Sequence, residues 1–313
     1  MRYNVGFLVG IAATFLGASL RSQGAPPADD DLRVPRPAYA GAGPRVLVDA
    51  AHFNVHTSTG RFERFAALLR ADGYRVEPNE LPLDRGQLPT GGVLIIVSAL
   101  GANRDSTPAL SGRPAFTPRE LDSVATWVRR GGALLLIVDH EPTGAANAAL
   151  AARFGVALAT GWVEDPDSTH HWAGCAGCLR FTRANGLLAS HPITEGRDRT
   201  EQVRGVISAV GQSIGSPPGA IALLRLSPTA VDIREVGDTA SAARRSQGAA
   251  LRFGAGRVVV LGEAAMLAGQ GPPRPDSPFR RWWRQEPGID NRQFALNLMH
   301  WLSGLLPAAR TTP

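Results

Sequence analysis

Three apolar runs in this chain end in the same way. The stretch from Arg45 to His56, RVLVDAAHFNVH, is a short apolar run that closes abruptly in Asp49, His52, Asn54 and His56. Such a run reads as a buried parallel strand that delivers polar side chains to its carboxyl end. Ala133 to Val138 runs into Asp139-His140-Glu141, and Val258 to Leu261 runs into Gly262-Glu263. Ligands of open α/β sheets bind outside the carboxyl ends of the strands. The three ends therefore point to one shared site.

The elements between these runs alternate. Thr57 to Gly60 offers capping residues, and Arg61 to Asp72 carries Phe62, Phe65, Ala66, Leu68 and Leu69 on one helical face. Gly73 stops that helix. Tyr74 to Val76 and Val93 to Val97 read as strands. Thr117-Pro118-Arg119-Glu120 opens the next helix with a Thr N-cap, Pro at the first position and Glu at the third. Gly131-Gly132 ends it, the strand 133–138 follows, and then an Ala-rich helix from Thr143 to Phe154 and a strand over Val156 to Leu158. Four strand–helix alternations specify a parallel α/β sheet. Trp162 to Arg199 breaks the pattern and reads as a polar insertion (161–200) beside the carboxyl edge. Strand signals return at 206–210, 220–226, 247–253 and 256–261; a long loop covers 264–290, and Asn291 to Ser303 closes the domain as an amphipathic helix. These signals place one folded domain at 44–305, preceded by a Pro/Ala/Asp-rich linker at 25–43 and followed by a disordered tail at 306–313.

Residues 1–24 have the layout of a signal peptide: Arg2, then an apolar, uncharged run from Val5 to Leu20. The run is shorter than the ~20 residues that a membrane-spanning helix needs. An exported chain is expected, periplasmic or extracellular, with an uncleaved N-terminal anchor as the alternative and the only route to a membrane. Cell-envelope proteins are then the natural partners. The formal charge of +6 does not point to nucleic acid, because all 33 basic residues are arginines scattered along the chain, with no basic stripe and no reading motif.

The candidate chemistry lies in Asp49, His52, Asn54, His56, Asp139, His140 and Glu263. His and carboxylate groups that meet suit zinc or a similar divalent cation, with His52, His56 and Asp139 as ligands; no short H-E-x-x-H spacing supports it. The competing reading is that these groups tie turns to one another. Arg61 and Asn291 stand at helix starts. Arg61 either holds an anionic or hydroxylated ligand or is a solvated arginine, and Asn291 reads as an N-cap. Cys175-Ala-Gly-Cys178 reads as a disulfide in an exported chain, against a redox pair or half of a zinc site with His170 and His171. His191 reads as a local backbone partner and His300 as a packed histidine. Trp282-Trp283, flanked by Arg280, Arg281 and Arg284, could cover the site, stack on a sugar, pack their own loop or touch a membrane.

The order of elements, with ALLLIVDH before an Ala-rich helix, resembles the class I glutamine amidotransferase-like superfamily. An exported bacterial branch of it is similar in more detail. The shared features are Asp49/His52/Asn54/His56/Thr57, Asp72-Gly73-Tyr74, Phe116 to His140, His191 to Thr194, Gly262 to Met266 and Asn291 to Leu302. That branch is also similar to trehalose-utilisation-type and gliding-motility accessory domains. The resemblance implies a flavodoxin-like three-layer sandwich with a mostly parallel sheet. The chain departs from the amidotransferases at the chemistry: Asp139-His140 stands where they carry the nucleophilic Cys, and Glu263 where they carry His. An amidase needs a thiolate activated by a base, so that reaction is not expected. Two functions remain: binding of a small polar ligand such as a carbohydrate, or hydrolysis by the same Asp/His/Glu groups, with or without a metal.

Overall fold

The computed structural model describes residues 32–308 apart from 174, 176, 235–237 and 269–287. The N-terminal segment expected to direct export and the Trp282–Trp283 pair with its arginines lie outside the described residues.

The first half follows the alternation read from sequence. In order come β1 (Arg45–Asp49), α1 (Glu63–Ala71), β2 (Arg75–Asn79), β3 (Val93–Val97), α2 (Pro118–Arg129), β4 (Ala133–Ile137), α3 (Thr143–Ala152) and β5 (Ala157–Leu158). The second half holds β6 (Trp162–Glu164), β7 (Leu179–Thr182), α4 (Pro192–Glu195), β8 (Gly205–Ser208), β9 (Ile214–Gly215), β10 (Ile221–Arg225), β11 (Val231–Ile233) and β12 (Thr239–Ser241). It ends with β13 (Ser246–Phe253), β14 (Gly256–Leu261), α5 (Ala265–Ala268) and α6 (Asn291–Leu302).

Among the described residues the main sheet runs β2-β1-β3-β4-β14-β13-β9-β5, with β10 also on β13. The pairs β1–β2, β1–β3, β3–β4 and β4–β14 are parallel. This is the flavodoxin-like order, whose switch point lies between β1 and β3. The remainder is antiparallel. The two-residue β5 therefore does not extend the parallel array as its place after α3 suggested; it pairs with β9 at the far edge.

Strand residues alternate between the two faces. Val48, Ile95, Leu135 and Val259 pack with Phe65 and Leu69 of α1 and Phe294 and Leu298 of α6. Leu47, Ile96, Leu134 and Val258 pack on the other face with Leu121 and Val124 of α2 and Leu150 of α3. Fully buried parallel strands read as continuous apolar runs for this reason. The α2 start is fixed by its capping box: the Thr117 side chain accepts from the Glu120 N–H while the Glu120 side chain accepts from the Thr117 N–H, an arrangement worth about 1 kcal/mol.

Three boundaries differ from the sequence reading. Part of the linker is fastened to the domain: Ala38 N–H donates to Asp72 Oδ1 (2.7 Å), the Tyr39 hydroxyl to Ser303 Oγ (3.0 Å) and Arg197 to the Arg36 carbonyl (2.7 Å). The insertion is not a free loop, because β6 pairs with β11 and β7 with β8. Leu306, placed in the tail, is buried, and its N–H reaches the His300 carbonyl.

Candidate functional site

The three strand ends do not meet at one point. The alternation that buries the core divides them. Asp49 shares its face with Leu47, toward α2, whereas Asp139 and Glu263 continue the line of Ile137 and Leu261, toward α1 and α6.

On the α2 face Asp49 is fully buried and bonds the His52 ring through Nδ1 at 2.9 Å. His52 Nε2 lies 2.8 Å from Glu120 Oε1. Glu120 Oε1 also accepts from Leu83 N–H (3.0 Å), while its Oε2 accepts the Thr117 N–H and hydroxyl. Asn54 Nδ2 donates to Asp49 Oδ2 (3.0 Å), and Asn54 Oδ1 accepts from His52 N–H (3.1 Å). Burial disfavours a charged His52, but the hydrogen bonds and charges of Asp49 and Glu120 outweigh it and hold the imidazole above its usual pKa. Burial likewise works against Glu120 ionisation, yet the Thr117 and Leu83 N–H groups and His52 hold its carboxyl below the usual range. This is a closed relay of two carboxylates with an imidazole between them. Every polar atom of His52 is engaged.

His56 stands on the other face, its ring edge against Phe62 at 5.2 Å. Burial, and then the charge of Arg61, push it down to about 4, so it is neutral at physiological pH. Arg61 is exposed beside it. The expected ligand set is corrected here: His52, His56 and Asp139 are not brought together, because His52 is saturated on one face while His56 lies on the other. Among the described residues no group of three or more His, Cys, Asp or Glu is placed to hold a metal ion.

The ends of β4 and β14 do meet. Ile137 pairs with Leu261, and Val138 N–H donates to the Leu261 carbonyl (2.9 Å), so Asp139 and Glu263 emerge side by side. Glu263 is 1% exposed. Its Oε1 accepts from Ala265 N–H (2.6 Å) and its Oε2 from Met266 N–H (2.7 Å). Asp139 keeps 20% of its side chain exposed, and its Oδ1 accepts from His140 N–H (2.8 Å). Burial pushes Glu263 up to about 8, the charge of Asp139 adds to the rise, and the N–H groups of Met266, Ala265 and Ala209 resist it. Burial pushes Asp139 up to about 6 against the pull of His140 and Arg104. Near neutrality Glu263 is the member that keeps its proton, because burial and the charge of Asp139 both disfavour its ionised form. Gly211 permits the approach: a Cβ there would come within 2.5 Å of Glu263 Cβ. His140 is half exposed and bonds the Glu141 carbonyl through Nδ1.

Asn291 is the first residue of α6, not its N-cap, which is Asp290. The Asn291 side chain clamps β8 and α5 instead: Oδ1 accepts from Ile207 N–H, and Nδ2 donates to the carbonyls of Ile207 and Met266. His191 caps α4 with Nδ1, and His300 Nε2 pairs with buried Asp72 at 2.7 Å. Cys175 and Cys178 form the expected disulfide, and His170 and His171 bond Asp165 rather than the cysteines.

Sequence reasoning missed four features. Glu120 announces itself only as a helix cap. Ser98, at the end of β3, has a positive φ of 48° and a buried hydroxyl with no hydrogen-bond partner among the described residues. Phe53 also has a positive φ, 47°, and is 55% exposed. A groove of about 720 Å³ between α2 and the 84–91 segment, with Trp127 and Arg130 in its wall, is lined by none of the candidate residues.

No family model matches the chain, and a search of curated proteins found none similar to it in sequence. Solved structures similar to it include the mmIFT52 N-terminal domain, 14% identical over 83% of this chain and 97% of that one, with a TM-score of 0.53. The cytoplasmic protein STM1381 from Salmonella typhimurium LT2 is 16% identical over 82% and 99%, with a TM-score of 0.48. A ThuA-like protein from Bacteroides uniformis ATCC 8492 is 13% identical over 89% and 95%, with a TM-score of 0.42. At this identity the first likeness is one of fold alone, and the other two overlap less.

Proposed function

We propose that this is a binding domain for a small hydroxylated ligand, a carbohydrate in the first instance, held at the carboxyl ends of β4 and β14. The observation that carries the reading is the asymmetry of the Asp139–Glu263 pair. One carboxyl is buried, and its neighbour keeps 20% of its side chain exposed beside the half-exposed His140. A buried Glu263 that keeps its proton leaves Asp139, the partly exposed member, as the charged acceptor for a ligand hydroxyl. Amidase chemistry is not part of this reading, since both cysteines of the chain are in the disulfide. Export fits the disulfide, and among the described residues no helix is long and apolar enough to cross a membrane; fractionation of cells expressing the full chain tests it.

A second reading is acid–base hydrolysis at the same pair. It is favoured by the two different environments, which push the carboxyls apart as an acid and a base require. Titration of methyl pyranosides and sorbitol into wild type, Asp139→Asn and Glu263→Gln, followed by ligand-observed NMR, tests binding. Binding in wild type and its loss in Asp139→Asn is the expected result. Turnover of p-nitrophenyl glycosides that disappears in Glu263→Gln would move the assignment to a hydrolase, and no binding of any probe would remove the first reading.

A further inference from the structure

We propose that Phe53 is the specificity-determining contact of this site: a pyranose lays the apolar face of its ring on the Phe53 side chain while its hydroxyl edge meets Asp139. This rests on the carboxyl-pair reading above and adds to it a ring preference and a residue that enforces it.

Phe53 occupies an unusual place. The loop after β1 overshoots the sheet and turns back. Leu100 N–H donates to the His52 carbonyl (2.8 Å), and Val55 N–H donates to the Ser98 carbonyl (3.1 Å). His52 packs against Phe116 on the α2 face (4.6 Å between ring centroids), and His56 packs against Phe62 on the α1 face. Phe53 is therefore at the crest, where the loop crosses from one face of the sheet to the other. The crossing lies at the switch point between β1 and β3, where such sheets ordinarily bind ligands, and it carries an exposed aromatic ring there.

A left-handed backbone at a bulky residue is strained and persists only where the surroundings impose it. Here they do. His52 is locked between Asp49 and Glu120, and Asn54 is bonded to Asp49 and to the Val97 carbonyl (3.3 Å). The Asp49, His52 and Asn54 side chains thus hold both neighbours of Phe53, and Phe53 alone turns outward. A ring at 55% exposure recovers little packing for that strain. A role outside the fold accounts for it.

The surroundings fit a ring with one apolar face and a hydroxyl edge. Ser98 N–H donates to the Ile137 carbonyl (2.8 Å), so Ser98 lies between the Phe53 loop and the end of β4. Its hydroxyl is buried and without a partner among the described residues. Asp139 comes next, about two strand spacings, or roughly 10 Å, from the β1 end. Beyond it Ala209 N–H bonds Glu263, and its neighbour Val210 is 44% exposed. Exposed apolar groups thus flank a polar centre on both sides, a pattern that an open-chain polyol would not use.

The test compares methyl β-D-glucopyranoside with sorbitol, titrated into wild type, Phe53→Ala, Phe53→Trp and Asp139→Asn by ligand-observed NMR. The pyranoside is expected to lose about fivefold or more in affinity in Phe53→Ala and to keep it in Phe53→Trp, sorbitol to be indifferent to residue 53, and Asp139→Asn to lose both ligands. Pyranoside affinity unchanged in Phe53→Ala but lost in Asp139→Asn overturns the role of Phe53 and leaves the carboxyl reading standing; no binding of either probe to wild type removes both. Phe53→Asn supplies an arm that needs no ligand, since Asn tolerates the left-handed region. Its melting midpoint is expected to stay level or rise by about 1–2 °C, and a fall of more than about 3 °C would show that the ring serves packing.

Discussion

Two clusters at the carboxyl edge of one sheet use the same residue types to opposite effect. In the Asp49–His52–Glu120 relay, two carboxylates enclose an imidazole at 2.8–2.9 Å, and every carboxylate oxygen has a donor. In the Asp139–Glu263 pair, two carboxyls stand together, Glu263 held by backbone N–H groups and Asp139 by the His140 N–H, with the half-exposed His140 ring 3.9 Å from Asp139. The first cluster is electrostatically complete and ties β1 to α2. The second must hold a proton to exist at neutral pH, and one of its members reaches solvent. Acidic and histidine residues at strand ends are thus not evidence of a site by themselves; what separates a brace from a site is whether the charge is already answered.

The largest expected difference comes from removing the relay's imidazole. His52→Ala leaves two buried carboxylates facing each other and should lower unfolding free energy by about 3–5 kcal/mol in urea titrations. A loss under 1 kcal/mol would show that the relay is not the brace described here.

The two clusters should also respond to pH over different windows. The folded pKa of His52 lies above its unfolded value, so its contribution is complete below 6.5 and is lost as pH rises through the folded value. Glu120 is depressed, so its contribution is present above 4.5 and is lost as pH falls through its folded value. The relay is therefore strongest between about 4.5 and 6.5. The folded pKa of Glu263 is raised, so the proton it retains stabilises the native state below about 4.5, and that stability drains away as pH rises toward about 8. The slope is up to about 1.4 kcal/mol per pH unit for one extra bound proton. In Glu263→Gln, denaturation midpoints between pH 5 and 8 should follow a shallower course, and an unchanged slope would mean that Glu263 does not carry this proton.

Asp139→Asn removes the charge next to Glu263 while keeping an acceptor for the His140 N–H. It should gain about 1 kcal/mol at pH 8 while losing ligand, as sites that trade stability for function do. The smallest effect is expected at His140, half exposed beside the pair. His140→Ala should change stability by less than about 0.5 kcal/mol yet raise the apparent pKa of the pair, because a charge that favours ionised Asp139 is gone.

Much of this was legible in the residues. The limits of β3 and β14 coincide with their apolar runs, and the α2 start follows from Thr117, Pro118 and Glu120. The meeting of Asp139 and Glu263 follows from two adjacent parallel strands of matched length. The division of the strand ends between faces was present in the parity of Asp49 with Leu47, but parity alone does not say which helix covers which face. Glu120 was visible only as a cap because its second oxygen reaches a histidine 68 residues away. β5 was read correctly as a strand and not as the partner of β9, since pairing is a long-range property. Phe53 carries no local mark of its left-handed backbone, which its neighbours impose through tertiary hydrogen bonds.

The central claim is that Glu263 of the Asp139–Glu263 pair keeps a proton at neutral pH while Glu120 of the relay is ionised. Carboxyl carbon shifts of protein labelled at Asp and Glu side chains, followed by NMR from pH 3 to 9, test it directly. One glutamate resonance, absent in Glu263→Gln, is expected to change only above pH 7. If every carboxyl in the wild-type protein has titrated by pH 5, the pair is ionised like any surface acid and the site assignment fails.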